Sequence, residues 1–247
     1  MSNPLTKQLT EVLERSNRIV FFGGAGVSTA SNIPDFRSAT GLFNQKYHRT
    51  LSPEEMVSRT FYEQDPEDFY AFYRDKLVYP EAQPNDCHKA LAKLEEMGKL
   101  KAVVTQNIDG LHQKAGSKTV YELHGSVLRN YCERCHRFYG VEAILETSGV
   151  PRCECGGIIK PDVVLYEESL DDTVISKSVA AIASADTLII GGTSLVVYPA
   201  AGLIQYFRGR DLVLINKSVT SADSEATLVI HDDIATVMRE AVDALNA

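Results

Sequence analysis

Arg18-Ile-Val-Phe-Phe-Gly-Gly-Ala-Gly-Val-Ser-Thr29 is the stretch that decides the fold. Ile19 to Phe22 form an apolar run stopped by Gly23, Gly24 and Gly26, the pattern of a buried strand entering a tight turn. Glycine lets the main chain approach a bulky anion, and a helix starting beyond the turn would aim free N–H groups at a phosphate. The dinucleotide fingerprint G-x-G-x-x-G is incomplete, because Thr29 stands at the third glycine position counted from Gly24. An ordinary strand-to-helix corner has the same composition, so the turn alone does not establish a nucleotide site. The adjoining Ile33-Pro-Asp-Phe-Arg37 strengthens that reading.

Before this strand, Asn3-Pro4 reads as a helix cap, and Leu5, Leu9, Val12 and Leu13 mark one apolar helical face. Beyond it, strands are expected over 101–106 and 120–123, and a helix over 85–97 with Cys87, Leu91, Leu94 and Met97 facing inward. The last third alternates: strands over 187–190, 212–215 and 227–230, helices over 199–207 and 234–245. That alternation predicts an α/β fold, a Rossmann-like parallel sheet with helices on both faces. Residues 41–84 break the pattern, with Pro53, Pro66 and Pro80 as interruptions and Phe61, Tyr62, Phe69, Tyr70, Phe72 and Tyr73 as core filler for a helical excursion.

The 247 residues are enough for one large unit and a small inserted one. The apolar runs are too short to cross a bilayer, and Met1-Ser-Asn-Pro lacks the blocks of a secretion signal, so a cytoplasmic protein is expected. A net charge of −8 argues against a nucleic-acid backbone as partner and tolerates lysine-rich protein substrates. A monomer is the expected state.

Four of the five cysteines cluster as Cys132-Glu-Arg-Cys135 and Cys153-Glu-Cys155-Gly-Gly157. In a reducing compartment this favours a metal over disulfides. Four thiolates satisfy tetrahedral zinc and leave no position for water, so the ion is expected to be structural. The isolated Cys87 reads as a small buried apolar residue.

Polar residues stand where the strands end: Gly23-Gly-Ala-Gly26, Gln106-Asn-Ile-Asp109, His124, Gly191-Gly-Thr-Ser194 and Asn216-Lys-Ser218. In an open α/β sheet ligands bind outside the carboxyl ends of the strands, so all five should converge on one crevice. His124, in Glu122-Leu-His-Gly-Ser126, is the best acid–base candidate, since an imidazole accepts a proton near neutral pH. His112 reads as structural.

Together, Gly24-Ala-Gly-Val-Ser28, Ile33-Pro-Asp-Phe-Arg37, Thr105-Gln-Asn-Ile-Asp-Gly-Leu-His112, Leu123-His-Gly125, the four cysteines and Gly192-Thr-Ser-Leu195 resemble the sirtuin family of NAD-dependent protein deacylases. The resemblance implies a large NAD-binding unit (1–40, 85–127 and 161–247) and a small one formed by a helical module (41–84) and a zinc ribbon (128–160). It implies that Gly24, Ala25, Gly26 and Thr29 line the phosphate and ribose site, with Asp35, Phe36 and Arg37 in the loop closing over NAD. Gln106, Asn107, Ile108 and Asp109 would surround nicotinamide and its ribose; Gly192, Thr193, Ser194, Asn216, Lys217 and Asp233 would hold the adenosine half. His124 would be the general base, with Asn107 beside it, and Cys132, Cys135, Cys153 and Cys155 the zinc ligands. The implied reaction transfers the acetyl group from lysine to ADP-ribose, releasing nicotinamide and O-acetyl-ADP-ribose.

Val163, Val164 and Tyr166 resemble the family's acyl-lysine tunnel, and Val196, Val197 and Tyr198 the strand that pairs with substrate peptide. Two departures stand out. Tyr166-Glu-Glu168 replaces a phenylalanine-glycine-glutamate run. In Phe69-Tyr-Ala-Phe-Tyr-Arg74, Tyr70 is followed three residues on by Tyr73, where relatives that remove succinyl or malonyl groups carry arginine. Acetyl-lysine proteins are therefore the expected partners. The competing readings are a longer-chain deacylase or mono-ADP-ribosyltransferase on the same fold, an NAD(P) dehydrogenase, and a non-enzymatic zinc-ribbon module.

Overall fold

The computed structural model describes residues 4–36, 41 and 51–245. In chain order the first half contains α1 (Pro4–Arg15), β1 (Ile19–Gly23), α2 (Pro53–Met56), α3 (Arg59–Gln64), α4 (Pro66–Lys76), α5 (Asp86–Glu96), β2 (Leu100–Thr105), α6 (Leu111–Lys114) and β3 (Val120–Glu122). The second half contains β4 (Gly125–Cys132), β5 (Phe138–Tyr139), α7 (Glu142–Leu145), β6 (Ile159–Val163), α8 (Asp172–Ser184), β7 (Thr187–Gly191), β8 (Asp211–Ile215), β9 (Leu228–Ile230) and α9 (Ile234–Ala244).

The larger sheet has the order β3-β2-β1-β7-β8-β9 with every neighbouring pair parallel. All five residues of β1 are buried. Side chains alternate across a strand, and here Ile19 and Phe21 join the core under α1, α5 and α9, while Val20 and Phe22 join the core on the opposite face with Ile182 of α8 and Leu203. Both faces are thus covered, which is why these strands read as nearly unbroken apolar runs. Because β1 sits between β2 and β7, the chain reverses its direction of sheet growth there, and a crevice opens beyond the carboxyl ends of β1 and β7.

Several local expectations are corrected. After β1 the chain makes two 3-10 turns, Ala25–Val27 and Thr29–Ser31, and no α-helix follows directly. The Gly24 and Gly26 N–H groups donate to the Gly191 and Gly192 carbonyls at 3.2 and 2.8 Å, so those two do not point freely at an anion. The two glycine turns interlock instead: a Cβ on Gly26 would lie 2.8 Å from Gly192 Cα, and one on Gly192 2.4 Å from the Val27 nitrogen. The segment Ala200–Tyr206 is a 3-10 helix, and α8 was not marked by the sequence pattern. Cys87, Leu91 and Leu94 face the core, whereas Met97 caps α5 and is exposed.

The second sheet, β5-β4-β6, is antiparallel and packs on the helical excursion. Tyr62, Phe69, Tyr70, Phe72 and Tyr73 share one apolar cluster with Val127, Cys132, Ile144, Cys153 and Ile159, and Phe61 packs against it. Phe69 meets Tyr70 and Tyr62 edge-on at 5.2 and 5.1 Å, a favoured aromatic geometry. Pro53 and Pro66 start helices and do not interrupt them: each follows a side-chain cap, Ser52 or Asp65.

Behind the crevice, His88 and His112 lie ring to ring at 4.7 Å. Both are buried, and His88 Nε2 and both His112 ring nitrogens have no protein hydrogen-bond partner among the described residues. Burial holds His88 down at about 4 and drives His112 well below its ordinary range. Unfolded histidines take up protons near 6.5 but the folded pair refuses them, so protons favour unfolding as pH falls below that point. We expect His88 alone to remove about 3 kcal/mol of stability by pH 4. Urea unfolding at several pH values checks this: the acid loss should shrink in His88→Gln, and an unchanged slope would reject it.

Candidate active site

The crevice has a volume of ≈ 700 Å³, within the usual range for small-molecule sites. Gly24, Ala25, Gly26, Thr29, Asp35 and Phe36 line one side. Gln106, Asn107, Ile108, Asp109 and His124 form its floor. Gly192, Thr193, Ser194, Asn216, Lys217 and Asp233 line the side next to β7 and β8. Val163, Val164, Tyr166, Val197 and Tyr198 line it as well. Of the remaining expected residues, Val196 is exposed but outside this lining, and Arg37 lies outside the described residues. All five polar strand ends therefore meet in one place.

His124 occupies the corner between β3 and β4. Gly125 makes that corner possible with φ 73°, and a Cβ there would fall 1.8 Å from the Asp162 carbonyl oxygen. The His124 carbonyl accepts from Val164 N–H at 3.0 Å, tying the histidine to the Val163–Tyr166 wall. His124 Nδ1 is 3.0 Å from the Gln106 carbonyl oxygen. A carbonyl only accepts, so Nδ1 carries the proton in this arrangement and Nε2 keeps its lone pair. Burial lowers the His124 pKa, opposed by the bond to Gln106. Burial therefore favours the neutral ring, the form that takes a proton.

The floor is a hydrogen-bonded net. Asn107 Nδ2 donates to Ser28 Oγ at 3.0 Å, and Ser28 Oγ–H donates to Asp109 Oδ2 at 2.7 Å. Asp109 Oδ1 accepts from Leu111 N–H at 2.9 Å. Burial raises the Asp109 pKa, and the bonds from Ser28 and Leu111 oppose it. Gln106 Nε2 donates to Thr193 Oγ1 at 3.0 Å, linking the ends of β2 and β7. Ser28 is the member that sequence reasoning left without a role; its position directly after the glycine turn was the available signal. At the far end, Lys217 pairs with Asp233 at 3.1 Å, and Asp233 also caps α9 through Thr236 N–H.

Tyr70 and Tyr73 do not line the crevice. Both are fully buried in the small apolar cluster, and Tyr70 O–H donates to the Ile159 carbonyl at 2.7 Å. Among the described residues, Glu167, Glu168 and Leu165 also line the site, from a turn whose main chain the sequence pattern does not specify.

The four clustered cysteines bring their sulfurs within 4.8 Å of one another, with Cys132–Cys155 at 3.4 Å and Cys135–Cys153 at 3.5 Å. Tetrahedral zinc with Zn–S near 2.3 Å sets sulfurs about 3.8 Å apart, so the set fits that ion. Arg134 and Cys135 N–H groups donate to Cys132 Sγ at 3.4 and 3.5 Å, and Tyr139 O–H donates to Cys153 Sγ at 3.0 Å. Such donors stabilise thiolates; the Tyr139 hydroxyl leads in bringing Cys153 down to about 6. None of the four lines the crevice, which agrees with a structural ion.

Comparison with known proteins gives a consistent result. The Sir2 family model matches residues 24–199. A Clostridium perfringens (strain 13 / Type A) protein named NAD-dependent protein deacetylase is 68% identical over 238 residues, covering 96% of this chain and 98% of that protein. A solved Sir2 complex with deacetylated peptide and 3′-O-acetyl ADP ribose has a TM-score of 0.88 at 39% identity, covering 97% of this chain and 98% of that one. A Sir2 complex with peptide and NAD+ has a TM-score of 0.84 at 39% identity, covering the same shares. This chain belongs to the Sir2 family.

Proposed function

We propose that the chain is an NAD-dependent protein-lysine deacetylase and that the crevice around His124 is its active site. The observation that carries the reading is the neutral-favouring His124 ring, its Nδ1 tied to Gln106, placed between the glycine turn and the Val163–Tyr166 wall. NAD supplies the ADP-ribose that accepts the acetyl group and the nicotinamide that leaves. His124 Nε2 takes the proton from the ribose hydroxyl that captures the acyl group. Gln106, Asn107, Ile108 and Asp109 hold the nicotinamide end, with Ser28 fixing Asn107 and Asp109 relative to each other. Thr193, Ser194, Asn216, Lys217 and Asp233 hold the adenosine end, and Gly24, Ala25, Gly26, Thr29 and Gly192 the span between. Asp35 and Phe36 cover the reacting face and exclude water. Val163, Val164 and Tyr166 receive the acyl-lysine, and Val196, Val197 and Tyr198 the peptide main chain.

We assign the zinc to Cys132, Cys135, Cys153 and Cys155. We divide the chain into a large unit (1–40, 85–127 and 161–247) and a small one (41–84 and 128–160). The separate apolar clusters support that division. A cytoplasmic monomer without a nucleic-acid partner is part of the same reading; the −8 charge supports the absence of nucleic acid. Among the described residues no helix is long and apolar enough to cross a membrane.

The deciding experiment incubates the protein with an acetyl-lysine peptide, with and without NAD, and follows nicotinamide release and peptide mass. Deacetylation at equal rate without NAD would reject the function. A mass gain on the acceptor protein would indicate ADP-ribosyl transfer. By the family resemblance, Tyr73 stands where relatives that remove succinyl or malonyl groups carry arginine, and we expect kcat/KM for acetyl-peptide to exceed that for succinyl-peptide by roughly tenfold or more. The reverse order would sink the acyl preference while leaving the NAD dependence intact.

A further inference from the structure

We infer that Glu167 is a positioning residue: its carboxylate latches the acyl-lysine wall to the N-terminal turn of α3 through Thr60. The inference rests on the deacetylase reading for its effect on substrate, but the latch itself is a feature of the fold.

Glu167 has φ 76°, in the left-handed region that favours glycine. A side chain there disfavours the turn unless it makes compensating contacts. Glu167 makes two. Thr60 N–H and Thr60 Oγ–H both donate to Glu167 Oε2, at 2.8 and 2.7 Å. Hydrogen bonds to a charged acceptor are the stronger kind.

This latch closes a seam already started by the main chain. Arg59 N–H donates to the Tyr166 carbonyl and Tyr166 N–H to the Val57 carbonyl, each at 3.0 Å. Arg59 reaches Glu168 at 3.4 Å and Glu133, between the first two zinc ligands, at 3.1 Å. Glu168 also accepts from Lys160 and from Leu165 N–H. Tyr166, Glu167 and Glu168 line the crevice. The turn that receives the acylated side chain is thus clamped at its two flanks, and Glu167 is the clamp on the residue whose backbone is least content. Fixing a binding loop before the ligand arrives lowers the ordering cost of binding.

The test compares Glu167→Ala, Glu167→Gly, Glu167→Gln and Thr60→Val with the wild type. Steady-state kinetics at saturating NAD should show KM for acetyl-peptide raised about three- to tenfold in the alanine and glycine variants, with kcat within about twofold and KM for NAD unchanged. Thr60→Val should move in the same direction by less, and Glu167→Gln, which keeps an oxygen acceptor but loses its charge, should fall between wild type and the alanine variant. Glycine is the discriminating variant because it relieves the backbone yet removes the latch. Hydrogen exchange over 164–170 gives a readout independent of turnover: it should accelerate in the alanine and glycine variants with Tm little changed. A glycine variant with wild-type KM and wild-type exchange would overturn the latch. Absence of NAD-dependent turnover in the wild type, with exchange accelerated as expected in the variants, would instead overturn the deacetylase reading.

Discussion

His124→Ala is expected to lower kcat/KM for acetyl-peptide by about 10²–10⁴-fold, the usual contribution of a positioned general base. The side chain leaves a crevice, not the core, and the turn at Gly125 and the His124 carbonyl bond to Val164 are main-chain features. Tm and zinc content should therefore stay near wild type. Burial lowers the His124 pKa, so the ring stays neutral further into acid than free imidazole does. The acid limb of kcat/KM should consequently lie below 6.5, and the alanine variant should lose that limb. An acid limb that persists unchanged in the variant would assign the proton transfer to another group. Stability follows the same sign, since protonation below the unfolded histidine's pKa favours the unfolded chain.

Removing zinc, by chelation or by Cys153→Ser, should have the largest effect on structure. Structural zinc contributes an apparent ~10–16 kcal/mol in small modules, comparable to the whole stability of a typical domain, ~5–15 kcal/mol. Cys132 and Cys153 are members of the same buried cluster as Tyr62, Phe69, Tyr70 and Tyr73, so the helical excursion should loosen with the ribbon. The sequence contains no Trp, and near-UV circular dichroism therefore reports mainly tyrosines. That signal should fall on chelation while the parallel sheet keeps its slow hydrogen exchange. Peptide turnover should be lost with it, because the crevice wall at Val163 ends β6, which pairs with β4. Retention of both the tyrosine signal and turnover after metal removal would contradict this account.

Much of this was legible in the chain itself. The apolar runs before Gly23, Gln106 and Gly191 announce buried parallel strands, and polar residues immediately beyond them announce the crevice. The C-x-x-C and C-x-C pairs announce the metal. What escaped has physical reasons. Helix α8 has a weak apolar stripe, with only Ser178 and Ile182 of its residues fully buried, so periodicity does not mark it. The first 3-10 turn after β1 is tied to the Gly191 and Gly192 carbonyls at and just beyond the end of β7, more than 160 residues away, which no local pattern encodes. The burial of Tyr70 and Tyr73 depends on the ribbon packing against α4. The Ser28–Asp109 and Thr60–Glu167 bonds likewise join residues far apart in sequence.

The interlocked turns at Gly26 and Gly192 carry a consequence for how this protein can change. Each glycine occupies space that any larger residue at the other would need, with Gly192 also at φ 59°. Neither position can be diversified first and repaired at its counterpart afterwards, because the obstruction is main chain and not a movable side chain. Libraries aimed at altering nucleotide preference should therefore return viable clones with substitutions around Asn216 and Lys217, and a blank at these two sites.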